Sequence, residues 1–259
     1  MSQVNIQVPN EDGAASQTAA VSSVVLVCEH ASCHIPASLK GLGMSQADRE
    51  SHAAWDPGAL SVARHMAHRL NAILVSAKVS RLVYDCNRPP TAPDAMPARS
   101  EVIEIPGNRD LSVAQRKARI DTYYRPFRDE LQRVIQQTAN PVIVTVHSFT
   151  PVYHGKVRAV EIGVLHDSDA RLAGAMLQTA QAHTAAVVER NQPYGPDDGV
   201  THTLKEHAVK NGHPNVMLEI RNDLIATPEQ QEAVADMLSA WLAESLARIG
   251  MSGDLQCQA

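Results

Sequence analysis

Three apolar runs of this sequence each close on a residue able to bind a metal or move a proton. Residues 24–28 run into Glu29-His30, residues 141–146 into His147-Ser148, and residues 216–220 close on Glu219-Ile220-Arg221. Taken singly, each is an ordinary hydrogen-bonded polar group at a strand terminus. Taken together they approach what catalytic zinc needs, about three His or carboxylate ligands with one position left for water. His30 and His147 supply two ligands, and local sequence leaves the third open. No HxxE or HExxH pattern occurs, and His34 is followed by Ile35-Pro36, which disfavours the helix that would align it with His30. Asp56, in Ala54-Trp55-Asp56-Pro57-Gly58-Ala59, reads first as a helix N-cap, a role that does not exclude binding a metal.

A second chemical signal spans residues 80–90, where Arg81, Asn87 and Arg88 surround a strand end. A guanidinium fork matches a carboxylate with two hydrogen bonds, so an anionic substrate is one reading. An ion pair with Asp85 or another carboxylate is the other, and the stretch alone does not choose. Ser148 lies outside any G-x-S-x-G elbow, and neither a G-x-G-x-x-G nor a P-loop occurs. His52, His65, His68, His154, His166, His183, His202, His207 and His213 carry no accompanying ligand pattern and read as structural or solvent-facing.

The elements that must position these residues follow from periodicity. Helical spacing of Leu60, Ala63, Met66, Ala67 and Leu70 predicts a helix over 56–70, opened by Asp56-Pro57. Residues 24–28, 72–75, 79–84, 141–146, 157–165 and 216–220 read as strands, and 112–137, 169–183 and 229–249 as helices, the first interrupted near Pro126. Residues 87–107 are rich in Pro and turn formers and read as a long functional loop. Strands alternating with helices predict an α/β domain with a largely parallel sheet between helices. Such sheets bind ligands outside the carboxyl ends of their strands, where His30, His147 and Glu219 fall.

Composition bounds the partners. The 259 residues carry 23 Lys plus Arg and 28 Asp plus Glu, a net charge of −5 that lacks the basic excess of a nucleic-acid or membrane-surface binder. With 44% hydrophobic and 20% charged residues the chain reads as globular, and no apolar run reaches the length of a membrane span. Cys28, Cys33, Cys86 and Cys257 form no CxxC pair and read as reduced thiols of a cytoplasmic protein. Residues 1–23 read as a loose tail without signal-peptide character, and 24–259 as one domain. Oligomeric state is not legible.

Several of these segments together resemble a known family. They are Cys28-Glu29-His30-Ala31-Ser32 with Ile35-Pro36, Trp55-Asp56-Pro57-Gly58-Ala59, Ser80-Arg81-Leu82-Val83 running to Asn87-Arg88-Pro89-Pro90, Val146-His147-Ser148, and Leu218-Glu219-Ile220-Arg221-Asn222-Asp223. In this order, from about Val24 to beyond Asp223, the sequence resembles the N-formylglutamate amidohydrolase family, in a formylglutamate-hydrolase-like branch.

The resemblance implies a zinc carboxypeptidase-like fold and hydrolysis of the amide of an N-formyl or N-acyl acidic amino acid, a small-molecule substrate. It implies one Zn2+ per chain held by His30, His147 and Asp56; the carboxypeptidase-like pattern has Glu three residues after its first His, and that place is Cys33 here. It makes Glu219 the general acid–base, Asn87 and Arg88 the grip on a substrate carboxylate, and Arg81 or Arg221 a partner of the oxyanion. Another zinc N-acyl amino acid deacylase or a peptidoglycan-type amidase would share the metal site. A non-catalytic binder of acidic metabolites would not need Glu219 opposite a metal.

Overall fold

The computed structural model describes residues 3–8 and 21–251. Its strands, in chain order, are β1 (Val4–Gln7), β2 (Val24–Cys28), β3 (Ile73–Ala77), β4 (Arg99–Ser100), β5 (Ile103–Glu104) and β6 (Val142–Phe149). They continue as β7 (Val152–Tyr153), β8 (Lys156–Val157), β9 (Ile162–Leu165), β10 (Val188–Arg190) and β11 (Asn215–Arg221). The α-helices are α1 (Gln46–Glu50), α2 (Ala59–Arg69), α3 (Val113–Arg119), α4 (Arg125–Gln137), α5 (Arg171–His183) and α6 (Pro228–Arg248).

Seven strands form one sheet in the order β1-β3-β2-β6-β11-β9-β10. The pairs β3–β2, β2–β6, β6–β11 and β9–β10 are parallel, and β1–β3 and β11–β9 antiparallel. The sheet is therefore mixed and mostly parallel, between helices, as the sequence predicts. Alternation decides which side chain faces which layer. Val24, Leu26, Val142, Val144, Val146, Val216, Leu218 and Ile220 pack against α2, α5 and α6. Val25, Val27, Ile143 and Met217 pack in the other layer, with Phe127, Leu131 and Val134 of α4. Burial on both faces explains why β2 is apolar throughout.

Local chemistry sets the helix ends. Ser112 and Thr227 cap α3 and α6 through capping boxes with Gln115 and Gln230, and Pro228 occupies a first-turn position of α6. Between α3 and α4 the chain makes a wide π-type turn over Ile120–Tyr124. Pro126 follows immediately and has no N–H to donate, so the helix predicted over 112–137 changes its bonding pattern at that place.

Four expectations differ. Residues 79–84 are turns rather than a strand; Val79, Leu82, Val83 and Tyr84 are buried, but the Ser80 hydroxyl donates to Ala54 O and accepts from Leu82 N, bending the chain. The stretch 157–165 divides into β8 and β9. Val4–Gln7, inside the segment expected to be a loose tail, pairs with β3 as a sheet edge, and its apolar–polar alternation, Val4-Asn5-Ile6-Gln7, is the signal of a half-buried strand. The predicted N-cap Asp56 yields that place to Gly58, whose φ of 82° leaves no room for a Cβ, which would lie 2.6 Å from Ile225 O. Cys28, Cys33 and Cys86 are free thiols, and Cys257 lies outside the described residues. Among the described residues no helix is long and apolar enough to cross a membrane.

Candidate metal centre and catalytic cavity

His147 and Glu219 are register partners on the parallel strands β6 and β11, one residue out of phase with the valines and leucines that face α2, α5 and α6. Both therefore point into the opposite layer, at the carboxyl end of the sheet. His30 arrives there from the turn after β2. Asp56 arrives from the segment before α2, its backbone N–H donating to His30 O at 3.0 Å. Freed from capping by Gly58, the Asp56 carboxylate turns to the two imidazoles.

The ligand atoms meet closely. Asp56 Oδ2 lies 3.2 Å from His30 Nδ1 and 2.9 Å from His147 Nδ1, and the two Nδ1 atoms are 3.2 Å apart. All three side chains are buried. The outer ring nitrogens each face a buried carboxylate. His30 Nε2 is 2.7 Å from Asp85 Oδ1, and His147 Nε2 lies 3.1 Å from Glu29 Oε2, close but poorly aligned for a hydrogen bond. An ionised carboxylate only accepts, so the proton of each neutral imidazole belongs on Nε2. With both rings neutral, two ring lone pairs and a carboxylate oxygen converge, and either a metal ion or a proton on Nδ1 relieves them. Burial opposes charge on the rings, but the surrounding carboxylates raise His30 above the usual histidine range and His147 well above it.

The spacing fits such a cation. Tetrahedral zinc with ligands at about 2.0–2.1 Å requires ligand atoms about 3.3 Å apart, close to the observed 2.9–3.2 Å. The outer carboxylates fit as well, because a metal-binding His usually gives its other N–H to a carboxylate that fixes tautomer and orientation. His30, Asp56 and His147 are the group of described residues able to hold a metal ion. Cys33 is not in it and packs, half-buried, against the hydrophobic cluster that contains Tyr84.

Electrostatics divide the acids into two kinds. Burial opposes the charge on Asp56, but His30 and His147 outweigh it and hold the carboxyl far below the usual carboxylate range. Burial likewise opposes Asp85, which His30 and Arg81 hold low. Glu219 goes the other way. Burial pushes it up to about 7, opposed by His147 and assisted by Asp56, and its Oε2 has no hydrogen-bond partner. Gly163 lies across from it on β9, where a Cβ would come 3.1 Å from that of Glu219. A buried carboxyl near neutrality with a free oxygen can take up and release a proton.

These residues line a cavity of about 490 Å³ that also presents Arg81, Asn87, Arg88 and Arg158. Arg81 pairs with Asp85 at 3.1 Å and Asp56 at 3.5 Å. Asn87 spends its amide on the 200–203 segment, donating to Val200 O and accepting from Thr203 N. Arg88 donates Nε–H to Asp94 and its Nη atoms to the carbonyls of Asn87, Gly199 and Asp198. The pair expected to grip a substrate thus ties two loops together, with little donor capacity left over. Arg221 does not line the cavity; it bonds Glu161, Asp223 and Arg158 O. Asp85 was legible as an ion-pair partner, the role it takes with Arg81, but its contact with His30 was not; Glu29 was legible only as a neighbour of His30, and nothing local marks Arg158.

Comparison with known proteins adds independent findings. The model of the N-formylglutamate amidohydrolase family matches residues 22–226. The crystal structure of gene product Atu2144 from Agrobacterium tumefaciens is 49% identical with a TM-score of 0.90, the match covering 96% of this chain and 97% of that one. N-formylglutamate amidohydrolase from Ralstonia eutropha JMP134 is 16% identical with a TM-score of 0.65, covering 96% and 100% of the two chains, and shares the fold. No curated protein matches the sequence.

Proposed function

This chain belongs to the N-formylglutamate amidohydrolase family, an amide hydrolase family, and from that premise we propose a zinc-dependent hydrolase that releases formate, or another small acid, from an N-acylated acidic amino acid. The observation that carries the metal dependence is the convergence of His30 Nδ1, His147 Nδ1 and Asp56 Oδ2, each 2.9–3.2 Å from the others.

Bound there, one zinc ion supplies a Lewis acid that polarises the amide carbonyl and acidifies a water. Glu219 accepts the proton of the attacking water at its free Oε2 and passes it to the amine nitrogen as the C–N bond breaks. One new C–O bond forms, and the products are the carboxylic acid and the free amino acid. Asp85 and Glu29 hold the two imidazoles with Nδ1 inward. Arg81, kept cationic by Asp85 and Asp56, faces the cavity and offsets charge developing on the carbonyl oxygen. The cavity of about 490 Å³ favours a wider acyl range than formyl, since about 300–1,000 Å³ holds drug-sized ligands.

The test is elemental analysis of the purified protein together with formate release from N-formyl-L-glutamate and acid release from its N-acetyl and longer N-acyl analogues. One divalent ion per chain and hydrolysis of at least one member are expected. A metal-free protein that is not activated by zinc, or no hydrolysis across the panel, overturns the reading.

A further inference from the structure

Three arginines face the cavity, and their electrostatic states differ. Arg81 is held between two carboxylates, and Arg88 is joined to Asp94 and three backbone carbonyls. Arg158 has no carboxylate partner among the described residues. Its hydrogen bonds go to neutral acceptors, Nη1–H to Thr150 O at 3.3 Å and Nη2–H to Tyr194 Oη at 2.9 Å. A guanidinium has five N–H donors in one plane, so three remain for a ligand.

The surroundings hold that plane in place without neutralising it. The guanidinium carbon lies 4.5 Å from the ring centre of Tyr153, 4.8 Å from Tyr194 and 5.5 Å from Phe149. Ring faces attract the cation and exclude water while leaving the donor edge open. The backbone is anchored on both sides, Arg158 N–H donating to Pro151 O at 2.8 Å and Arg158 O accepting from Arg221 Nη1 at 3.3 Å. Arg221, itself paired with Glu161 and Asp223, thus braces the segment that carries Arg158.

We infer that Arg158, on its platform of Phe149, Tyr153 and Tyr194, is the anchor for a free carboxylate of the substrate, the task that the sequence assigns to Asn87 and Arg88. The inference rests on the amide-hydrolase reading for the identity of the ligand. An acid enters with its carboxylate against the open edge of the fork, and an amide in the same place leaves the guanidinium half-desolvated and without a counter-charge.

The experiment compares N-formyl-L-glutamate with its diamide. Affinity is measured by titration calorimetry on metal-loaded protein in a Glu219→Gln background, which slows turnover, and formate release is followed on the unaltered holoenzyme. The acid is expected to bind on the order of 10–100-fold tighter than the diamide. Arg158→Met, which keeps the apolar stem, reduces that ratio to near one, and Arg158→Lys, which keeps charge without the fork, falls between. Thermal melting checks that the variants are folded.

An unchanged ratio in Arg158→Met overturns the inference and leaves the hydrolase reading intact. Equal binding of acid and diamide by the background protein overturns it without recourse to any Arg158 variant. Absence of formate release combined with an Arg158-dependent ratio retains the carboxylate site and removes N-formylglutamate hydrolysis. Failure to bind either ligand overturns the inference.

Discussion

The Nδ1 atoms of His30 and His147 stand 3.2 Å apart, and each ring turns its other nitrogen to a buried carboxylate, Asp85 or Glu29. With both rings neutral and donating through Nε2, the two Nδ1 lone pairs and Asp56 Oδ2 form a group that could hold a metal ion; without one, a proton on either Nδ1 fills the same place.

Removing one imidazole is expected to abolish metal retention. His147→Ala purified beside the wild type should carry well below one zinc per chain by elemental analysis, and added zinc should raise the melting temperature of the wild type alone. A variant that binds zinc with unchanged affinity places the metal elsewhere.

Glu219→Gln keeps the shape of the side chain and removes its ability to accept a proton. Metal content and KM are expected to remain near wild type while kcat falls by a factor on the order of 10² or more. Near-normal turnover would assign the proton transfer to another group.

The outer carboxylate of His30 is expected to matter nearly as much as a ligand. Asp85→Asn removes the charge opposite Nε2–H and frees Arg81, and it should weaken zinc affinity by about 10–100-fold, read by competition with a chelator. An unchanged dissociation constant would show that the His30–Asp85 contact does not orient the ring.

Away from the cavity, burial brings His207 down to about 4, opposed by Glu206 and assisted by His202. Between about pH 6.5 and that value the unfolded chain binds a proton that the folded protein refuses, so stability falls as pH falls through this window. The contribution amounts to about 3 kcal/mol when complete. Urea unfolding at pH 7 and pH 4 should show His207→Phe losing less stability on acidification than the wild type, and parallel losses would refute the assignment.

Much of the fold is written in local pattern. The unbroken apolar runs of β2, β6 and β11 announce strands covered on both sides, and the Ser112 and Thr227 caps mark their helices within a residue or two. The misreadings have local causes. Val79–Tyr84 carries the apolar content of a strand, yet it is bent by a Ser80 hydroxyl whose partner, Ala54 O, is distant in sequence. Val4–Gln7 is a strand because the edge of β3 offers it hydrogen bonds.

By itself the sequence determined the α/β class, the placement of His30, His147 and Glu219 at the ends of apolar strands, and the family, because hydrophobic periodicity and contiguous motifs are properties of short stretches; that the three strands are neighbours is a fact of the sheet order. Local pattern left the carboxylate that meets the imidazoles open, with Asp56 indicated through the family resemblance, and tertiary structure alone decided which arginine keeps an open fork. Asp56 reaches His147 across the fold once Gly58 takes over the helix entry. Arg88 is spent on Asp94, Asp198 and Gly199, while Arg158, in an unmarked segment, is stacked among rings from β6, β7 and the loop that carries Tyr194. A charge is defined by its neighbours within a few ångströms, and those that decide here include residues far along the chain, His147 for Asp56, Asp198 and Gly199 for Arg88, and Tyr194 for Arg158.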